Sequence, residues 1–352
     1  MTGNSEEPTG RVLGGRYEVL EPRGTESLGR VYAARDERTG RRVQVKILPP
    51  QLAADHERFT RFGREITASF MVTHPNTVEV LDYGEQDGLH FLVLEGLAAH
   101  PLAAELAKGK LPVDRAVGIA AQVVQAIGAA HQERIVHRAL SPENVLLLEN
   151  VAPGAGDFVK VRDFGMSKLI SDDDTDLTAN EIRVGDAAYM APEYVTTGQF
   201  HPKGDLYAVG ALLFRMIAGR PPFTGERDRQ LAQHVSATAP RLGSVVPGVA
   251  PWLDQLVAEL LAKDPEARPG VHAVLARIED GVGHPVEIPP LIPLSGDGAV
   301  PAAELSQAIA AEPGSVSGMV LGGAALVVVG AAGLLALVAA AVVVAFVLTL
   351  PS

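Results

Sequence analysis

Residues 135–148 read Ile-Val-His-Arg-Ala-Leu-Ser-Pro-Glu-Asn-Val-Leu-Leu-Leu, a polar, proline-bearing loop that runs into an unbroken apolar tetrapeptide. On its N-terminal side, Val117, Ala120, Val124, Ile127 and Ala130-His131 recur at steps of three and four. Pro112 and Asp114 mark a start, so Asp114 to Arg134 is expected to be a helix. On its C-terminal side, Val145 to Leu148 and Phe158 to Val161 form two short apolar runs flanking a polar turn at Asn150 to Asp157. Such runs read as paired strands. Asp163-Phe164-Gly165 follows the second run directly.

With those residues in view, the chain resembles the Hanks-type protein kinase family from about Tyr17 to Ile278. The resemblance implies a catalytic loop of the form His-Arg-Asp-Leu-Lys-Pro-x-Asn. In that pattern the Asp accepts the substrate hydroxyl proton, the Lys steadies the transferring phosphate and the Asn holds a metal. Here the base position is Ala139 and the Lys position is Ser141, while Asn144 stands. Asn144 with Asp163 is the family's arrangement for Mg2+, built from hard oxygen ligands with room for phosphate oxygens. The family's activation segment ends Gly-Thr-x-x-Tyr-x-Ala-Pro-Glu. This one ends Gly185-Asp186-Ala187-Ala188-Tyr189-Met190-Ala191-Pro192-Glu193, with Asp186 in place of the Thr. Ala139, Ser141 and Asp186 meet at one point in the family's site, so their joint change implies impaired phosphoryl transfer. The competing reading has Asp186 moving into the space left by Ala139 as a substitute base, which requires hydrogen-bond reach to the acceptor.

The N-terminal third reads as short strands, Tyr17–Leu20, Arg30–Ala34 and Arg42–Ile47, separated by glycine and charged turns. Gly24-Thr25-Glu26-Ser27-Leu28-Gly29 resembles the G-x-G-x-x-G loop that covers nucleotide phosphates in kinases, with Gly24 and Gly29 matching and Glu26 at the middle glycine. A carboxylate beside phosphates weakens such a clamp. Lys46, in Val-Gln-Val-Lys, resembles the lysine that orients the phosphates, and Glu65 resembles its ion-pair partner on a following helix that ends at His74-Pro75-Asn76. Gln44 stands where relatives carry a small alanine above the adenine. Val78–Tyr83 and Leu89–Glu95 are expected strands, the second leading to Leu94 as gatekeeper and to Glu95, Gly96 and Leu97 as hinge. Val31 and Leu146 would make apolar contacts above and below an adenine ring. The resemblance therefore implies ATP and Mg2+, with ATP bound weakly.

Asp205 resembles the helix residue that ties down the catalytic-loop backbone, and Arg268 resembles the arginine that pairs with the Glu of Ala-Pro-Glu, here Glu193. In the activation segment, Asp172, Asp173, Asp174 and Asp176 offer fixed negative charge to Arg138, or form a solvated acidic loop. Thr175 and Thr178 are candidate phosphorylation sites.

The formal net charge of -12 argues against nucleic-acid partners, which select clustered Lys and Arg, and the absence of cysteine accords with a reducing cytosol. Proline and small residues dominate after Arg277. Met319 to Leu350 then carries no charge and exceeds the ~20 residues needed to cross a membrane, which reads as a transmembrane helix. Gly318 and Gly322 form one G-x-x-x-G, a spacing that can pair two such helices into a homodimer and that also arises easily in an Ala/Gly-rich run.

The expected fold is α+β: a bilobed protein kinase-like domain with a small antiparallel β lobe and a larger helical lobe, joined to one C-terminal transmembrane helix. The expected organisation is a flexible tail at 1–13, the kinase-like domain at 14–280, a Pro-rich linker at 281–317 and a transmembrane helix at 318–350. This pattern resembles bacterial membrane-attached Ser/Thr kinases, and implies a tail anchor in a plasma or inner membrane with the domain facing cytosolic protein partners or substrates. Two function classes stand: a pseudokinase acting as a signalling or scaffolding module, and a slow but active Ser/Thr protein kinase.

Overall fold

A computed structural model describes residues 8–26, 29–49, 70–152, 154, 156–165, 186–285 and 288. The expected Glu65 helix, the activation segment before Asp186 and the apolar 318–350 stretch lie outside them. Among the described residues, no helix is long and apolar enough to cross a membrane.

The N-terminal lobe is one six-stranded sheet made of β1 (Val12–Leu13), β2 (Tyr17–Glu26), β3 (Gly29–Asp36), β4 (Arg42–Ile47), β5 (Val80–Gln86) and β6 (Leu89–Glu95). The order is β1-β2-β3-β4-β6-β5, with every neighbour antiparallel. Period-2 alternation sorts β4: Val43 and Val45 enter the lobe core with Val19, Tyr32 and Val93, while Gln44 and Lys46 take the other face. β1 lies just ahead of residue 14, within the stretch expected to be a tail. Gly14 and Gly15 adopt positive φ of 59° and 63°, so the chain reverses and lays Leu13 beside Tyr17, where Leu13 is fully buried.

β2 is longer than its apolar run suggested. Register shifts between Val19 and Glu21 and between Pro22 and Gly24 bend it, and it continues through the glycine loop as far as Glu26. Gly29 is sterically required, because a Cβ there would lie 1.9 Å from the Ile47 carbonyl oxygen. The strand expected at Val78–Tyr83 begins instead at Val80. Thr77 bridges to Val161 and the Val78 N–H donates to the Val161 carbonyl at 2.8 Å, which commits this segment to the other lobe. Asn76 strengthens that tie by donating to the Val159 carbonyl at 2.7 Å and to Gln122 at 3.0 Å.

The C-terminal lobe holds a three-stranded sheet, β7 (Ala99–Pro101), β8 (Val145–Leu148) and β9 (Val159–Val161), above helices α1 (Leu102–Lys108) and α2 (Val113–Gln132). After a 3-10 turn at Ala187–Tyr189 come α3 (Pro192–Thr197), α4 (Pro202–Ala218), α5 (Arg227–Ser236), α6 (Leu242–Val245), α7 (Pro251–Leu260) and α8 (Val271–Val282). The centre of the lobe is α4, whose ends are set locally. Pro202 sits in the first turn, the His201 ring accepts from the Lys203 N–H, and Gly219 closes the helix at φ 78°. Leu206 to Ile217 are buried nearly throughout and pack against α2 and α7, so α4 is apolar on all sides.

Candidate nucleotide and catalytic site

The catalytic loop hangs from α4. Asp205 Oδ2 accepts from the His137 N–H and Oδ1 from the Arg138 N–H, both at 2.9 Å, and His131 Nε2 lies 2.8 Å from Oδ2. These bonds hold Arg138 at φ 71°, a left-handed conformation that residues other than glycine rarely adopt. Arg138 also donates to the Gly165 carbonyl at 3.2 Å and lies over the Phe200 ring at 5.2 Å. His137 is fully buried and packs on Phe164 with ring centroids 4.8 Å apart. Burial pulls its imidazole below the usual histidine range, against the opposing pull of Asp205 and Asp163.

At the turn of this loop, Ala139 presents a methyl group where a base would stand. Its carbonyl accepts from Asn144 Nδ2 at 2.9 Å, and the carbonyl of buried Ser141 accepts from the Asn144 N–H at 3.1 Å. Asn144 is therefore oriented by the loop it closes. Asp186 is exposed, and its Oδ1 caps the 3-10 turn by accepting from the Ala188 N–H at 2.9 Å. Among the described residues it makes no hydrogen bond to the catalytic loop.

The floor of the cleft is a cluster of four charges. Lys46 is fully buried, and its Nζ lies 2.7 Å from Asp163 Oδ1 and 2.7 Å from Glu26 Oε2. Arg162 grips the other oxygen of Glu26 through Nη1 and donates through Nη2 to the Glu143 carbonyl at 3.0 Å. Its Nε stands 3.9 Å from Asp163 Oδ2. Burial alone would push the Asp163 carboxyl up, but Lys46 and Arg162 outweigh it and hold the group below the usual carboxylate range. Burial likewise opposes charge on Lys46, and its two carboxylate partners override that, raising it. Asp163 sits at φ 63° and its Oδ2 is buried with no hydrogen-bond partner.

The remaining expected residues fall as follows. Val31 pairs in register with Lys46 and Gln44 with Leu94, which puts both at the roof of the cleft, while Leu146 lies on β8 below. Gly24 occupies the second bulge of β2 at φ 142°, and Gly29 opens β3. Glu95 closes β6, where its side chain is clamped by Lys160 at 2.5 Å and by the Glu79 N–H at 2.9 Å. Leu97 follows it on the connection to β7. Arg162 and Lys160 were not singled out from the sequence. The one signal was a cation directly before Asp163, a place where burial demands a partner.

The protein kinase domain model matches residues 17–278. The chain belongs to the protein kinase domain family. This kinase-family chain is similar to the serine/threonine-protein kinase pkn2 of Myxococcus xanthus, with 31% identity over 314 residues covering 85% of this chain and 37% of that protein. It is 34% identical over 260 residues to the serine/threonine-protein kinase PrkC of Bacillus subtilis, covering 73% of this chain and 39% of PrkC. The same identity over 260 residues relates it to PknL of Mycobacterium tuberculosis, covering 73% of this chain and 63% of PknL. The chain thus spans about two-fifths of the length of the first two relatives. Among solved structures, the PknI kinase domain of Mycobacterium tuberculosis superposes with a TM-score of 0.61 at 25% identity, covering 78% of this chain and 98% of that one. Members of this family generally use ATP and Mg2+.

Proposed function

We propose that this chain is a membrane-anchored pseudokinase, a protein kinase fold that binds ATP weakly and acts as a signalling or scaffolding module rather than as an efficient phosphotransferase. The observation that carries this reading is the catalytic loop itself. Its anchoring to Asp205 is intact, yet the side chain at the base position is the Ala139 methyl, and the nearby phosphate-lysine position is the neutral, buried Ser141. Asp186, the candidate substitute base, spends its carboxylate on capping its own turn. A general base contributes roughly 10²- to 10⁴-fold, so its loss slows transfer without removing positioning. The slow-kinase alternative differs only in degree.

Nucleotide binding is supported by Lys46 and by the apolar positions Val31 and Leu146. The donor set also fits a hard divalent cation, because Asp163 Oδ2 is a buried carboxylate oxygen with no partner and Asn144 is held in place by the Ala139 carbonyl. Asp163 and Asn144 would hold Mg2+, which supplies neutralisation of phosphate charge when bound. Residues 1–280 with radiolabelled ATP are expected to show trace transfer at most, and Mg-ATP at 5 mM is expected to raise the melting temperature. Transfer at rates ordinary for protein kinases would overturn the pseudokinase reading, and a folded domain with no melting shift would overturn the nucleotide reading.

Membrane attachment is supported by the uncharged stretch Met319–Leu350. Deleting residues 318–352 is expected to move the protein to the soluble fraction. Retention of that truncation on washed membranes would refute the anchor.

A further inference from the structure

Glu26 comes from the tip of the glycine-rich hairpin, yet its carboxylate lies on the cleft floor with its two oxygens divided between two cations. Lys46 Nζ is 2.7 Å from Oε2, and Arg162 Nη1 bonds Oε1. The position is the middle glycine of the loop whose backbone amides face phosphates in relatives. Arg162 completes a strap, joining that hairpin to the catalytic loop through the Glu143 carbonyl. Lys46, Arg162, Asp163 and Glu26 sum to zero charge. Among these four, removing Glu26 leaves one net positive charge where its carboxylate now sits.

We infer that Lys46 and Arg162 together form a two-cation subsite for the phosphates of a nucleoside triphosphate, and that Glu26 is its resident occupant, so that nucleotide enters only by exchange with that carboxylate. The inference rests on the nucleotide-binding reading above and adds two things to it: Arg162 is a phosphate-binding residue, and weak affinity comes from internal competition rather than from a poor pocket. A carboxylate bridging two cations mimics a phosphate oxygen pair in charge and in bidentate geometry. Like charges forced together at a desolvated site repel strongly, so ATP and Glu26 cannot share the floor. The strap also ties nucleotide entry to the hairpin: displacing Glu26 frees the tip of β2 from the catalytic loop.

The test is ATP titration of the full chain by thermal shift and calorimetry, with Mg2+ and separately in EDTA, the second arm reading the protein's own cations. Glu26→Gln is expected to tighten ATP binding at least about tenfold in both arms. Glu26→Gly, which restores the loop residue of relatives, is expected to do the same and guards against one variant misfolding. Arg162→Met placed on Glu26→Gln is expected to reverse the gain in EDTA. Without nucleotide, a melting double-mutant cycle of Glu26→Gln and Arg162→Met is expected to show coupling between the two residues. If both Glu26 variants melt cooperatively and bind ATP no tighter than the parent, which itself binds, the inference fails while the nucleotide reading survives. If neither parent nor variants bind ATP, both fall. Tightening that Arg162→Met leaves intact would remove Arg162 from the subsite.

Discussion

Two buried ion-pair clusters in this chain obey opposite rules. In the C-terminal lobe, Arg268 is fully buried and all its donors are used. Nη1 and Nη2 take the two oxygens of Glu193 at 2.7 Å each, and the carbonyls of Ala262, Lys203 and Lys263 accept the rest at 2.8 to 3.0 Å. In the cleft, Lys46 is equally buried, yet Asp163 Oδ2 and Arg162 Nε have no hydrogen-bond partner. The closed cluster is a structural tie: it joins α3, the start of α4 and the segment before α8, and leaves nothing for a ligand. The open one retains unused capacity, which is what a site that exchanges its occupant requires. On the proposed nucleotide-binding reading, completeness of hydrogen bonding separates an ion pair kept for the fold from one kept for binding.

The largest expected effect breaks the closed cluster. Arg268→Met should destabilise the domain by about 3–5 kcal/mol, because it strands the Glu193 carboxylate and three carbonyls inside the lobe. Denaturant unfolding checks this, and a loss near that of a surface substitution would show that the pair is not needed for the fold.

A second perturbation, also in the C-terminal lobe, uses pH. His234 is fully buried with its Nδ1 on the Tyr207 hydroxyl at 2.7 Å, and burial pulls it down to about 4, with Lys263 adding repulsion. The unfolded chain binds this proton near pH 6.5 and the folded chain does not. Stability is therefore unaffected above about pH 6.5, falls as pH drops from there towards about 4, and levels off below, for a total of about 3 kcal/mol. His234→Gln should flatten that limb of the stability curve. An unchanged acid limb would show that other groups carry it.

The smallest effect on folding belongs to the open cluster. Lys46→Met should destabilise by about 1–2 kcal/mol, less than loss of Arg268, since Arg162 still faces both carboxylates, Glu26 can turn to solvent from the hairpin tip and Asp163 can take a proton. The same variant should abolish the Mg-ATP melting shift. A loss as large as that of Arg268→Met would erase the distinction between the two clusters.

How much of this was legible depends on how far apart the determinants lie in the chain. The catalytic loop, Asp163-Phe164-Gly165, the helix at Val113–Gln132 and the strands on either side of the Asn150–Asp157 turn are local patterns, and their order alone indicated a kinase domain. The Arg268–Glu193 pair was expected from motif positions and is formed. Element ends were less legible where another lobe competes for the backbone, as at Thr77-Val78, where bonds to Val161 delay the start of β5. Leu13 lies in a two-residue strand, which carries no periodicity for a sequence pattern to show.

By itself, the sequence determined the family, the bilobed α+β plan and the replacement of the base by Ala139, because each is a statement about residue identity at a position within a motif. Only the tertiary structure decided what Glu26 does. Its partners are 20 and 136 residues away, Lys46 on β4, two strands across the sheet, and Arg162 beyond the catalytic loop. No local pattern encodes which cation a carboxylate will meet. That depends on the bulges that bend β2 over the cleft, and on the cost of leaving the buried charges of Lys46 and Asp163 without partners, which draws the half-buried Glu26 and Arg162 to them.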